Sequence, residues 1–290
     1  MAAGSGQTVA HALRTAETRF AEAAIDAPRV HATALLAHVL SVNTAGVLAR
    51  LRDPLADADL QAFDALVARR LDHEPLQYIL GEAHFLDFSL HVGPGVFIPR
   101  PETEQLVETA LGAWDPAHPW AIDLCCGSGA ISVALARARP RARILAIDRA
   151  PAPRSATQGN ARRLGVGDRV SVTGGDLLAA VATQEVAARV VGAIVCNPPY
   201  AARGEVTQPE VRDHEPALAW EAGPSGLEVY TRVVPQAAAV LRSGRPLLFE
   251  LGYGQAGAVS DLLRQDGRWR DIQVDDDFQN IPRVLTARRR

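Results

Sequence analysis

AIDLCCGSGAISVALA, at residues 121–136, is the stretch that decides the fold. An apolar run suited to a strand ends at Asp123 and Leu124. A turn containing Gly127 and Gly129 follows, and then small and apolar residues at helical spacing. Glycine allows the tight turn and lets backbone approach a ligand closely. Strand, glycine loop and helix open a βαβ unit. The pattern repeats downstream. Strands are expected at 120–124, 143–148, 169–173, 190–196 and 246–251, with two weaker ones near 271–274 and 283–287. Helices are expected near 130–139, 154–164, 227–241 and 256–265. This alternation predicts an α/β domain whose mostly parallel sheet is covered on both faces.

Upstream the period changes. Val9, Leu13, Ala16, Phe20 and Ala23 recur three and four residues apart, as on one face of a helix. Asp26 and Pro28 signal a second helix, expected to bury Val30, Ala34, Leu35 and Val39. A short helix is expected near 47–52, and Leu60, Phe63, Val67 and Leu71 mark another that ends before Pro75. The chain therefore divides into a small helical domain at 1–75, a β-hairpin linker at 76–100 and the α/β domain at 101–290. The hairpin draws on Phe85, Phe88, Leu90 and Val92, with a turn at Gly93, Pro94 and Gly95. A helix near 103–111 leads into the third part.

Composition bounds the function. Of 290 residues, 48% are hydrophobic and 22% charged, which suits a globular chain with a sizeable core. No apolar run is long enough to cross a bilayer. The opening MAAGSGQTVAHALRTAETRF lacks the zones of a secretory signal, so a cytoplasmic protein is expected. Lysine is absent and the net charge is −3, which argues against bulk electrostatic binding to nucleic acid. The closing Arg288, Arg289 and Arg290 read as a solvated tail. Cys125 and Cys126 are adjacent, and with Cys196 they suit neither a disulfide nor a zinc clip. His73, His84, His91 and His214 lack metal-ligand spacing, so no metal site is expected.

In a sheet of this kind ligands lie beyond the carboxyl ends of the strands, near the switch point. Asp148 closes the strand after the glycine loop, where a carboxylate suits the two hydroxyls of a ribose. Nicotinamide and S-adenosylmethionine cofactors share that logic, so these features do not separate them. GGDLL at 174–178 adds Asp176, able to accept from the exocyclic amine of adenine, with Leu177 against the ring. The competing reading of Asp176 is a plain helix N-cap.

The chemistry is carried by IVCNPPY at 194–200. A planar NH2 is a poor nucleophile because its lone pair is delocalised. It needs acceptors for its two N–H bonds while the lone pair is aimed at a sulfonium methyl. Asn197 offers a side-chain carbonyl and Pro198 a backbone carbonyl. Two prolines stiffen the loop and remove competing donors, and Tyr200 supplies a flat wall with a hydroxyl. Rate would come from orientation, and no strong general base is needed. Adenine, cytosine and carboxamide all remain open as substrates on these residues.

PLQYILGEAHF, VFIPRPETEQLVE, DLCCGSGAISVALA, GDLLAA, NPPY, EVRDHEPALA and GLEVY together resemble the release-factor glutamine methyltransferases of HemK (PrmC) type, over nearly the whole chain. The resemblance implies a helical N-terminal domain, a hairpin linker and a Rossmann-like, seven-stranded class I methyltransferase domain with its last strand antiparallel. It implies S-adenosyl-L-methionine as cofactor, with S-adenosyl-L-homocysteine as product, held by Asp123, Cys125, Cys126, Gly127, Ser128, Gly129, Asp148, Asp176, Leu177 and Asn197. Asn197, Pro198, Pro199 and Tyr200 would bind the substrate, with Asn197, Pro198 and Tyr200 catalytic. The implied partner is a class I peptide chain release factor, methylated on its Gly-Gly-Gln glutamine by a monomer whose N-terminal domain helps dock it, without membrane or nucleic acid. A ribosomal-protein glutamine methyltransferase and a nucleic-acid adenine N6-methyltransferase are the alternatives. The second normally needs a basic face, and here acids are mixed with the arginines. Three departures stand out: Cys125-Cys126 where the family commonly has Gly-Thr, a proline-rich RAPAPRSA after Asp148 that shortens the expected helix start, and QNIPR at 279–283.

Overall fold

The computed structural model describes residues 6–181, 191–205 and 208–290. The chain divides into two compact units, Met1–Gly81 with Pro209–His214, and Glu82–Gln208 with Glu215–Arg290.

The smaller unit is helical, with α1 (Val9–Glu22), α2 (Pro28–Val39), α3 (Thr44–Ala49), α4 (Asp57–Leu71) and α5 (Leu76–Leu80). Thr8 and Asn43 cap α1 and α3, accepting from the His11 and Gly46 amides. α1 buries Val9, Ala12, Leu13, Ala16 and Phe20, in line with its sequence period. α2 departs from expectation. It buries Ala32, Thr33, Leu35, Leu36 and Ala37, and leaves Val30 62% exposed. Its alanines and leucines make more than one face look apolar, so the period did not set the phase. α5 is too short to show a period and had no signal beyond Gly81, which ends it at φ +77°. Within this unit Glu210 accepts from the buried Arg70 guanidinium at 2.7 Å.

The larger unit opens with a hairpin, β1 (Glu82–Phe85) and β2 (Phe88–His91). Phe85 pairs with Phe88, so the hairpin turn is Leu86 and Asp87. The expected turn at Gly93, Pro94 and Gly95 exists separately, closed by Val96 N–H to Gly93 O at 3.1 Å. After α6 (Glu102–Ala113) come β3 (Trp120–Leu124), α7 (Ala130–Ala138), β4 (Arg143–Asp148), α8 (Pro151–Arg163), β5 (Val170–Gly174), β6 (Val191–Cys196), the short pair β7 (Ala201–Ala202) and β8 (Glu221–Gly223), α9 (Glu228–Val240), β9 (Pro246–Glu250), α10 (Ala256–Asp266), β10 (Trp269–Asp276) and β11 (Pro282–Arg289). Val190, expected to open the fourth strand, lies outside the described residues.

Seven strands form one sheet in the order β10-β11-β9-β6-β3-β4-β5. β3, β4, β5, β6 and β9 are mutually parallel, and β11 runs antiparallel to both neighbours. Every residue of β6 and β9 is buried, as expected of strands covered on both faces. The chain leaves β3 in one direction through β4 and β5 and returns to its other side as β6. The switch point therefore lies between β3 and β6.

Two further expectations are corrected. RAPAPRSA does not shorten α8, which begins at Pro151. First-turn amides have no partner inside a helix, so proline costs little there. The last arginines are not a free tail: Arg288 and Arg289 belong to β11 and donate to the Gly244 and Ala238 carbonyls, and Arg290 donates to Trp269 O. Among the described residues no helix is long and apolar enough to cross a membrane.

Candidate active site

Strand register builds the site. Leu124 pairs with Ile147 on one side and Cys196 on the other, and Cys196 pairs with Phe249. One residue further along each strand, Asp148, Cys125, Asn197 and Glu250 form a row at the carboxyl edge of the sheet. Three of these four were singled out from sequence as site residues. The fourth is Glu250, buried at the end of β9.

The loop after β3 takes left-handed backbone at alternate residues, with φ of +61° at Cys125, +55° at Gly127 and +85° at Gly129. Of these three residues Cys125 is the one that carries a Cβ. Its backbone takes the left-handed region that favours glycine, at a cost of about 1–2 kcal/mol. A Cβ on Gly129 would lie 3.0 Å from Thr157 Cα, so α8 packs directly on the loop. Thr157 donates to Gly127 O at 3.0 Å, and Asn160 Nδ2 donates to Ser128 O and to His91 O, both at 2.9 Å. These two side chains fix the loop's shape. Sequence reading missed them, because nothing local in SATQGN announces a partner so far along the chain.

Asp148 is half-buried. Its Oδ2 accepts from Gly127 N–H at 3.2 Å and its Oδ1 from Ala150 N–H at 3.0 Å. Burial raises its pKa, opposed by those amides and by Arg154 and Arg149. A carboxylate has about four acceptor positions, so each oxygen keeps one for a hydroxyl. Asp123 is fully buried. Its Oδ2 takes Ser132 N–H at 3.0 Å and Ser132 Oγ–H at 2.5 Å, and burial pushes its pKa up to about 7. Among the described residues its buried Oδ1 has no partner, an arrangement that normally marks a ligand's place or an energetic cost. A loop held in left-handed backbone, a half-used carboxylate and an orphaned buried oxygen fit a polar nucleoside cofactor. Asp176 does not cap the following turn through its side chain. It pairs with Arg232 at 2.5 Å, and Leu177 beside it is buried at φ +56°.

Across the switch point, Asn197 donates Nδ2–H to Thr103 Oγ1 at 3.1 Å, leaving Oδ1 as an acceptor. Pro198 is buried, while Pro199 and Tyr200 are half-buried. Gln255 holds the loop's exit by donating to Tyr200 O at 2.8 Å, and a Cβ on Gly252 would meet the Tyr200 ring at 2.9 Å. Burial raises the Tyr200 pKa, so its hydroxyl stays protonated. IPRPETE and EVRDHEPALA prove to be partners. The buried Glu215 carboxylate accepts from Ile98 N–H at 3.0 Å and pairs with Arg100. Glu104 accepts from Leu86 N–H at 2.7 Å, which gives it a role in holding the hairpin turn.

A parallel sheet with one antiparallel strand, reading its ligand across the gap between β3 and β6, defines the class I methyltransferases. Solved structures share the architecture: the hMettl16 catalytic domain in complex with MAT2A 3′UTR hairpin 1 matches with a TM-score of 0.52 over 80% of each chain at 16% identity. The same domain with hairpin 6 matches with a TM-score of 0.51 over 68% of this chain and 74% of the other, also at 16% identity. These likenesses speak for the fold. Residues 103–214 match the methyltransferase small domain, and residues 11–81 match the PrmC N-terminal domain. A release factor glutamine methyltransferase of Moorella thermoacetica is 39% identical over 98% of this chain and 99% of its own length. Its namesake from Mycolicibacterium smegmatis is 38% identical over 96% of each, and that of Streptomyces coelicolor 38% over 94% and 95%. The chain belongs to the release factor glutamine methyltransferase family.

Proposed function

We propose that this enzyme transfers a methyl group from S-adenosyl-L-methionine to the side-chain amide nitrogen (N5) of a glutamine in a class I peptide chain release factor. The observation that carries the proposal is the orientation of Asn197, whose NH2 is spent on Thr103 while its carbonyl oxygen stays available beside the cofactor loop. The near end-to-end similarity to release factor glutamine methyltransferases selects a carboxamide among the planar amines such a loop accepts.

The cofactor, when bound, supplies an electrophilic methyl on a positively charged sulfur. We assign Asp148 to the ribose hydroxyls and the loop of Cys125, Cys126, Gly127, Ser128 and Gly129, backed by Asp123, to the methionine part. Asp176 and Leu177 are assigned to the adenine, and Arg232 then shares or yields its hold on Asp176. Asn197 Oδ1 and the Pro198 carbonyl each accept one N–H of the substrate amide, which aims the nitrogen lone pair along the line of the breaking carbon–sulfur bond. Pro199 and Tyr200 wall the carboxamide plane. As the nitrogen–carbon bond forms, one N–H proton leaves to solvent. Orientation supplies the rate, so the rigidity given by Gln255 and Thr103 matters more than acid–base strength. Residues 1–75 are assigned to docking the release factor, 76–100 to the linker and 101–290 to catalysis.

The test is methyl transfer from labelled donor to purified release factors, with a Gln→Ala partner as control. Label on the glutamine amide, located by mass spectrometry, is the expected result. Label in DNA or RNA, or transfer that survives the Gln→Ala change, would overturn the proposal.

A further inference from the structure

Asn197 does not stand alone. Thr103 Oγ1, which accepts from Asn197 Nδ2 at 3.1 Å, passes its own hydrogen to Glu250 Oε2 at 2.7 Å. Thr103 and Glu250 are 3% and 1% exposed, so water does not substitute for these contacts. An asparagine amide has two flips of nearly equal shape, and only its partners choose between them. A hydroxyl has one hydrogen. When Thr103 gives it to an ionised carboxylate, its oxygen can only accept, and the group facing it must be the Asn197 NH2. The direction of the whole chain is set at its buried end.

We infer that Thr103 and Glu250 are positioning residues for methyl transfer: the buried carboxylate, acting through the Thr103 hydroxyl, selects the Asn197 flip that turns Oδ1 toward the substrate amide. The inference rests on the reading that Oδ1 accepts a substrate N–H. Protonated Glu250 reverses the chain. It donates to Thr103, Thr103 donates to Asn197 Oδ1, and the Asn197 NH2 then confronts the substrate NH2, donor against donor.

The surroundings bring that reversal into an accessible pH range. Burial pushes the Glu250 carboxyl up to about 7, opposed by its bond to Thr103 and by Arg283 of β11, with Glu102 of α6 adding to the rise and the nearby Asn197 amide opposing it weakly. Tyr200, Tyr230 and Cys196 also feel this carboxylate, and burial raises the pKa of all three, which keeps them protonated. The active form is the ionised one, so turnover falls as pH drops through about 7.

The experiment uses the full chain, purified release factor and four variants: Thr103→Val, Thr103→Ser, Glu250→Gln and Asn197→Ala. Thr103→Val is expected to lower kcat roughly tenfold, the weight of one net hydrogen bond, with KM and cofactor affinity unchanged within about twofold. Thr103→Ser restores kcat, because it keeps the hydroxyl. Glu250→Gln is expected to lower kcat and to erase the acid limb of the wild-type profile, since an amide accepts or donates at any pH. In 15N-labelled wild-type chain without substrate, the Asn197 side-chain NH2 resonance, identified by its loss in Asn197→Ala, titrates with the midpoint of that limb. A flat wild-type kcat from about pH 6 to about pH 8.5, or an Asn197 resonance indifferent to pH over that span, overturns the inference even if a variant fails to fold. Full turnover by Asn197→Ala removes the underlying reading of the site. An inactive Asn197→Ala beside Thr103→Val and Glu250→Gln enzymes that match wild type removes the positioning role alone.

Discussion

Gly129→Ala concentrates two costs at one atom. The residue sits at φ +85°, where a Cβ costs about 1–2 kcal/mol. That Cβ would also lie 3.0 Å from Thr157 Cα and Cγ2 and 3.1 Å from Thr157 Oγ1. Part of the obstacle is helix backbone, which cannot rotate away, so α8 must move. Overpacking of this kind costs about 1–3 kcal/mol. The unfolded chain loses some freedom when glycine becomes alanine, which returns about 0.4–1 kcal/mol. The net expected loss is about 2–4 kcal/mol, or a melting temperature lower by roughly 4–16 °C for a unit of this size. Gly127→Ala is the matched control. Its φ is +55°, but its Cβ would meet only Cys125 O at 3.9 Å, so it carries the backbone cost without the collision. Calorimetry of both full-length variants isolates the contact with α8, and calorimetric titration should show weaker cofactor binding for Gly129→Ala. Equal melting temperatures for the two variants, or a Gly129→Ala protein within about 1 °C of wild type, would refute the claim that α8 dictates glycine there.

Four further outcomes are expected. Asp148→Ala should weaken cofactor binding by about 1–3 kcal/mol, as for hydrogen bonds to a charged acceptor, and unchanged affinity by calorimetry contradicts the ribose assignment. Asn197→Ala should lower kcat by about 10²-fold or more while cofactor affinity holds within about twofold; a parallel loss of both would point to a folding role instead. Cys125→Gly releases about 1–2 kcal/mol of left-handed strain against about 0.5–1 kcal/mol of added chain entropy, so denaturant unfolding should show it equal to or slightly more stable than wild type, and a clear loss contradicts the strain. Asp123→Asn tests pH linkage: burial raises this carboxyl to about 7, so its contribution to stability is complete below the ordinary Asp range and is lost as pH climbs through about 7. The Asn variant escapes that loss and should gain on wild type between about pH 4 and about pH 7; a stability difference that is the same at pH 5 and pH 8 contradicts the buried titration.

Much of this architecture is legible before any coordinates. β3, β4, β6 and β9 announce themselves because strands buried on both faces are continuous apolar runs, and the glycine loop interrupts the first of them where the chain must turn. Asp148 and Asn197 stand out as polar residues at the ends of such runs. What escaped depends on contacts across long stretches of sequence. Thr157 and Asn160 hold the cofactor loop from a helix whose own pattern says nothing of a ligand. Glu250 gains its meaning only from the register that sets it beside Asn197 and from Thr103, 147 residues away in the chain. Val30 misled because α2 is apolar on more than one face. α5 and the two-residue β7 are too short for any period to appear.

The most direct measurement is a crystal structure of the full chain with S-adenosyl-L-homocysteine and a peptide carrying the release-factor glutamine. The glutamine NH2 should donate to Asn197 Oδ1 and to the Pro198 carbonyl, with its nitrogen facing the sulfur and the Asn197 NH2 still on Thr103. A carboxamide bound away from residues 197–200, or an Asn197 whose NH2 points at the substrate, would contradict the account.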